Sequence, residues 1–125
     1  MSALAFVCVA LAGGVGAACR LMLDGVLRSR FPGRIPRGTI VINISGSFLL
    51  GLAAGVAASG FLPPVLYSVV GAGFMGGYTT FSTASFETVR LFQQGRWRLG
   101  VVNGFGVLIA AVAAAGLGLL LGGLV

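Results

Sequence analysis

Apolar residues run along this chain in four long blocks, separated by three short connections. The blocks cover residues 3–23, 38–58, 65–86 and 99–124. Each holds about the ~20 residues that a helix needs to cross a hydrocarbon core roughly 30 Å thick. The pattern predicts one all-α integral membrane domain, residues 1–125, built on four spans. The connections are DGVLRSRFPGRIPR (24–37), SGFLPP (59–64) and TVRLFQQGRWR (88–98). The last carries Trp97, a common interfacial anchor. The first block resembles a signal peptide, but its apolar character continues past Ala18 without a polar mature sequence, so it reads as a retained span.

The third block departs from the pattern. In GAGFMGGYTTFSTASFE (71–87), glycines stand at 71, 73, 76 and 77, and hydroxyls follow at Thr79, Thr80, Ser82, Thr83 and Ser85. Gly76 and Gly77, followed by Thr79 and Thr80, predict a helix that unwinds within the membrane. Such backbone is tolerated in a bilayer only where protein or water covers it, and its freed carbonyls can coordinate a cation. Ser82 and Thr83 add hydroxyl donors, and Phe81 offers a positive ring edge to an anion. With no fixed acid nearby except Glu87, the set suits a small anion better than a cation. The alternative is a glycine kink whose hydroxyls bond back to the preceding turn.

Other polar positions are few. Asn43, Gly46, Ser47 and Leu50 share one face of the second block. A buried asparagine there needs a partner or a water-lined path. Asn103 opens the fourth block, but Val107 and Ala111, one and two turns on, are apolar. Gly51 with Gly55, Gly100 with Gly104 and Gly118 with Gly122 have the spacing that lets helices approach closely in lipid. Four helices barely enclose a hydrated path, so a transport function calls for a second subunit.

Composition narrows the chemistry. The chain has ten charged side chains among 125 residues and no histidine. The acids are Asp24 and Glu87, and every basic residue is arginine. Histidine catalysis, clustered carboxylates and histidine metal sites are excluded, and no nucleophile–base pair or phosphate loop supports an enzyme. The arginines flank the spans, so the basic balance does not point to nucleic acid. Cys8 and Cys19, eleven positions apart on one helix, lie about 16 Å from each other, too far for a disulfide. Arg28, Arg30, Arg34 and Arg37 fall in the first connection, Arg90, Arg96 and Arg98 in the third, and Arg20 in the last turn of the first block. All eight therefore belong to one side. The positive-inside rule puts that side in the cytoplasm of a multi-pass cell-membrane protein, with both termini outside.

Three of the four blocks, in order and at this chain length, resemble one family. GGVGAACR (13–20), GTIVINISGSFLLG (38–51), GFMGGYTTFSTASFE (73–87) and the turn QGR (94–96) are similar to the CrcB/Fluc fluoride channels. The resemblance implies four-helix subunits with a broken third helix, paired antiparallel into dimers with two pores. It implies passive export of fluoride that entered the cell as the neutral acid. It also implies a structural sodium at the dimer centre, held by backbone carbonyls at the positions of Gly76 and Thr79. The pore asparagine matches Asn43, the first pore phenylalanine Phe81 and the vestibule arginine Arg20. The implied partners are fluoride, membrane lipid and a second homologous subunit in opposite orientation.

Two departures stand out. The family pattern TTFSTFS has a second phenylalanine where this chain has Ala84, and Phe86 lies about 200° around the helix from Ala84. The fourth helix lacks the family's polar track beyond Asn103. An antiparallel homodimer also requires one sequence to insert both ways, which one-sided arginines oppose. The expectation is therefore a chain of fixed orientation paired with a different homologous subunit. The competing reading is a partner subunit that conducts through one pore or none. A dual-topology drug exporter is disfavoured because the first block has no embedded carboxylate.

Overall fold

The computed structural model describes residues 1–125 and is helical throughout, with no strand. Helix α1 is Ala3–Arg30, opened by Ser2, whose Oγ accepts from the Ala5 amide at 3.2 Å. That bond satisfies one of the amides that a helix start leaves free. The expected end at residue 23 moves to residue 30 because Asp24 and Arg28, one turn apart, pair at 2.9 Å and carry the helix onward. The helix ends where Phe31 meets Pro32, since a residue before proline is pushed out of the helical region. At 28 residues α1 is about 42 Å long, more than a hydrocarbon core requires. Arg20 thus lies about 15 Å inside the end of α1, not in its last turn.

Helix α2 is Arg37–Ala58. Helix α3 spans 64–78, made of Pro64–Ser68, a wide π-helical turn Val69–Met75 and a last α-turn Gly76–Tyr78. Helix α4 is Phe81–Gln93, and α5 is Trp97–Gly122 with a second wide turn at Val102–Gly106. Gly95, at φ +77°, provides the left-handed residue that reverses the chain between α4 and α5. Helices α1, α2 and α5 are each long and apolar enough to cross a membrane. The third apolar block forms two shorter helices, α3 and α4, with Thr79 and Thr80 extended between them.

Packing rests on backbone approach more than on a side-chain core. Only 16 of 125 residues are buried, and Phe6, Leu21, Phe105 and Ile109 all face outward, as they would towards lipid. The largest buried cluster is Ile42, Met75 and Tyr78, flanked by Cys19, Leu23 and Phe74. Helices α2 and α5 meet glycine to backbone: Gly51 against the Ala115 carbonyl, Gly55 against Leu119, Gly118 against Phe48 and Gly122 against Leu52. Helices α1 and α3 meet likewise, with Gly16 on the Phe74 carbonyl and Gly77 on that of Gly13. Gly100 and Gly104 serve differently, seating α5 on the Phe92 ring and the Thr88 methyl of α4.

Both arginine-bearing connections lie at one end of the bundle. There Arg28 of α1 reaches Glu87 of α4 at 3.0 Å. At the other end, Gly55 of α2 meets Gly122 and Gly123 beside the C-terminus.

Placing a methyl-bearing side chain between α2 and α5 forces two backbones apart. Gly51→Val is expected to destabilise the chain by about 1–3 kcal/mol. Gly116→Ala, where added atoms meet nothing within 4 Å, should have little effect. Thermal unfolding of the purified protein in detergent checks this, and equal midpoints for the two variants would refute the packing account.

Candidate functional site

The interruption between α3 and α4 has one cause that the coordinates identify. Thr80 would, in a continuous helix, donate its amide to the Gly76 carbonyl. Instead it donates to Oδ1 of Asn43 on α2, at 2.9 Å. The Asn43 side-chain amide returns a bond to the Thr80 carbonyl at 2.8 Å. One asparagine thus pairs with both backbone groups of one residue, as a neighbouring strand would. Thr79 and Thr80 take extended angles, φ/ψ −80°/161° and −145°/122°. Gly76 and Gly77, the expected point of unwinding, stay helical; the break falls two residues later.

The threonines close the ends on either side. Thr79 ends α3 with its amide and hydroxyl both donating to the Met75 carbonyl at 2.9 Å. Thr80 starts α4, its Oγ1 accepting from the Thr83 amide at 3.2 Å. Gly46 of α2 lies against the Thr79 methyl and the Tyr78 ring, so α2 sits close enough for Asn43 to reach. Ser45 of α2 bonds the Tyr78 hydroxyl at 3.0 Å and fixes the same junction. No backbone amide outside the helical ladders donates to the carbonyls of Gly76, Gly77, Tyr78 or Thr79.

A groove of about 480 Å³ runs from this break along α2, α4 and α5. Its polar lining is Asn43, Ser47, Thr79, Thr80, Ser85, Thr88 and Asn103, and its apolar lining includes Leu50, Phe81, Ala84, Val107 and Ala111. No charged side chain lines it. Phe81 is 87% exposed, so its ring projects from the break with little covering it. Asn103 lies in the wide turn of α5 and donates to the Thr88 hydroxyl at 2.8 Å, which donates to the Ala84 carbonyl at 2.7 Å.

Of the residues singled out from sequence, Asn43, Thr79 and Phe81 share this groove. Ser82 and Thr83 lie on the first turn of α4 without lining it, Ser82 exposed and near the Thr80 hydroxyl at 3.4 Å. Gly76 is exposed at the end of α3. Arg20 lies on α1 away from the groove, its Nε buried without a hydrogen-bond partner. The structure adds Thr88 and its bond to Asn103. Sequence held one cue to it: Thr80, Ala84 and Thr88 are spaced one turn apart and share a face.

Both acids of the chain are held away from the groove. Glu87 Oε1 accepts from Arg28 at 3.0 Å and from Thr39 Oγ1 at 2.8 Å. Asp24 Oδ2 accepts from Arg28 Nε at 2.9 Å. One guanidinium therefore ties α1 to α4 and engages both carboxylates. The groove keeps neutral donors and no fixed negative charge.

The family model described as CrcB-like protein, Camphor Resistance (CrcB), matches residues 7–119. The chain is 55% identical over 124 residues to "Fluoride-specific ion channel FluC 1" of Leifsonia xyli subsp. xyli, covering 99% of this chain and 90% of that protein. It is 49% identical over 116 residues to "Fluoride-specific ion channel FluC 2" of Cutibacterium acnes, covering 91% and 94%. It is 40% identical over 108 residues to "Fluoride-specific ion channel FluC 3" of Bifidobacterium longum, covering 84% and 89%.

Removing the Asn43 side-chain amide strands two half-buried backbone groups of Thr80. Asn43→Ala is expected to cost about 1–3 kcal/mol and to speed amide exchange across 79–83. Hydrogen exchange by mass spectrometry checks it; unchanged protection of that segment would overturn the role assigned to Asn43.

Proposed function

The chain belongs to the CrcB-like family, and on that premise we propose that it is a subunit of a fluoride-specific channel that lets fluoride leave the cytoplasm passively. The observation that carries this reading is the uncharged, donor-lined groove at the Asn43–Thr80 break. A small anion that gives up water needs hydrogen-bond donors in its place, and an anion left unpaired in apolar surroundings is costly. Asn43 commits one amide hydrogen to Thr80 and keeps a second. Ser47 and Ser85 line the groove with hydroxyls that bond nothing else. Phe81 adds a ring edge of positive quadrupole. Fixed carboxylates, which would repel fluoride, are absent from the groove.

The same break supports a sodium site. The carbonyls of Gly76 and Thr79 have lost the donors that a continuous helix would supply, and broken helices use such carbonyls to hold cations. Gly76 is exposed in the single chain, so two subunits meeting there would present these carbonyls to one ion. A sodium bound in this way would supply a positive charge at the dimer centre.

The second subunit is antiparallel, and a different homologous chain is favoured over a second copy of this one. Arg28, Arg34, Arg37 and Arg90 line one cavity at one end of the bundle, which supports a single orientation with that end in the cytoplasm and both termini outside. A narrower reading, that this chain serves mainly as the partner of a conducting subunit, rests on the apolar wall of Ala84, Val107 and Ala111.

Reconstituted with its partner, the chain should release fluoride from loaded vesicles, read with a fluoride electrode. Phe81→Ile is expected to slow release about tenfold, the equivalent of about 1.4 kcal/mol, with assembly intact. Gly76→Val should weaken assembly instead, because an added Cβ meets nothing nearer than 3.9 Å within its own chain. Full flux in Phe81→Ile would remove the pore assignment.

Orientation is tested separately. A reactive tag on the C-terminus should be labelled only from outside the cell, and the chain reconstituted alone should release little fluoride. Labelling from both sides at similar levels, or rapid flux from the chain alone, would defeat the two-sequence dimer.

A further inference from the structure

A second cavity, of about 430 Å³, lies at the arginine end, away from the groove. It is formed by the end of α1, the 31–36 connection, the start of α2 and the end of α4. Four guanidinium groups line it against one carboxylate, that of Glu87. Arg28 is spent on Glu87 and Asp24. Arg34, Arg37 and Arg90 have no carboxylate partner, so their charge is uncompensated within the chain. Arg37 is steadied by its guanidinium lying 5.8 Å from the centre of the Phe31 ring.

The cavity is far larger than a halide needs, and guanidinium forks match the oxygen geometry of a phosphate. Its rim is also apolar. Phe31 and Ile35 are 49% and 44% exposed beside the arginines. A free phosphate would use the charge and leave those side chains in water. A phospholipid would use both, placing its phosphate among the arginines and its acyl chains on the rim. Basic pockets between membrane helices are suited to such headgroups.

We propose that this cavity binds the phosphate of an anionic phospholipid from the leaflet at the arginine end. Held there, the lipid would join the 31–36 connection to the end of α4 and neutralise charge that the chain leaves unpaired. The site is separate from the fluoride groove, and binding is read without flux, so failure of either proposal leaves the other standing.

Native mass spectrometry of the purified protein in detergent, with phosphatidylglycerol or phosphatidylcholine added, tests this. Each arginine near the membrane surface is worth roughly fivefold in binding, or about 1 kcal/mol. Arg34→Gln combined with Arg90→Gln should weaken phosphatidylglycerol retention about 25-fold and leave phosphatidylcholine retention unchanged. Both residues are exposed, and thermal unfolding is the check that the variant folds. Should the pair not fold, Arg34→Gln alone, on the exposed connection, should still weaken retention about fivefold. Equal phosphatidylglycerol retention by variant and parent would overturn the proposal. Displacement of the lipid by an equal concentration of inorganic phosphate would overturn the lipid as ligand in favour of the free anion.

Discussion

A single side-chain amide holds the third apolar block open. A helix left to itself closes its ladder, and Thr80 would return its amide to Gly76. Asn43 prevents this by offering both an acceptor and a donor to the same residue. In water the exchange would be nearly neutral, because solvent would satisfy whatever the backbone gave up. In lipid no solvent is at hand, and an unpaired amide costs several kcal/mol. The break therefore exists only while α2 stands at the right distance, and the groove is lined by the break together with α2, α4 and α5.

That distance is set by those of the chain's 22 glycines that face another helix. Apolar side chains gain nothing by leaving lipid for one another, so helices in a bilayer associate through contact and small residues rather than through a hydrophobic core. Gly46 brings α2 onto Thr79 and Tyr78; Gly51 and Gly55 bring it onto α5; Gly77 brings α3 onto α1. Each close approach removes a degree of freedom from the frame that carries Asn43. The wide turns in α3 and α5 fit the same scheme. They shift register within a span without exposing a broken backbone, and the one in α5 carries Asn103 at the level of Thr88.

Much of this was legible in the sequence because lipid imposes simple rules. Four apolar blocks of spanning length and one-sided arginines follow from hydropathy and charge alone. The hydroxyl run after the glycines marked the third block as special. What sequence could not supply was the agent of the break. Gly76 and Gly77 looked like the flexible point, yet both are helical, and Gly77 is there for the Gly13 carbonyl. The actual cause sits 37 residues away on another helix, and no local pattern encodes a contact at that separation. The extension of α1 to Arg30 escaped notice for the opposite reason: hydropathy falls at Asp24, while the pairing of Asp24 with Arg28 keeps the helix intact outside the apolar region. Thr88 escaped because its hydroxyl reads as an ordinary bond to the turn before it until Asn103 is seen to use it as well.

The acids complete the electrostatic picture. With only two carboxylates in the chain, where they go decides what the groove contains. Both are drawn to Arg28, which lies at the arginine end and binds one through Nε and the other through its terminal nitrogen. This arrangement keeps negative charge out of the path proposed for an anion. It also leaves the remaining arginines of that end without partners in the same chain. On the reading proposed above, this one-sided charge sets a single orientation, and an antiparallel pair then calls for a differently charged relative. Under such pairing the two pores need not be equivalent. On that reading, apolar residues at 84, 107 and 111 would be tolerable in one subunit if the other supplied the donors, which would give the apolar wall and the arginine imbalance a common physical origin.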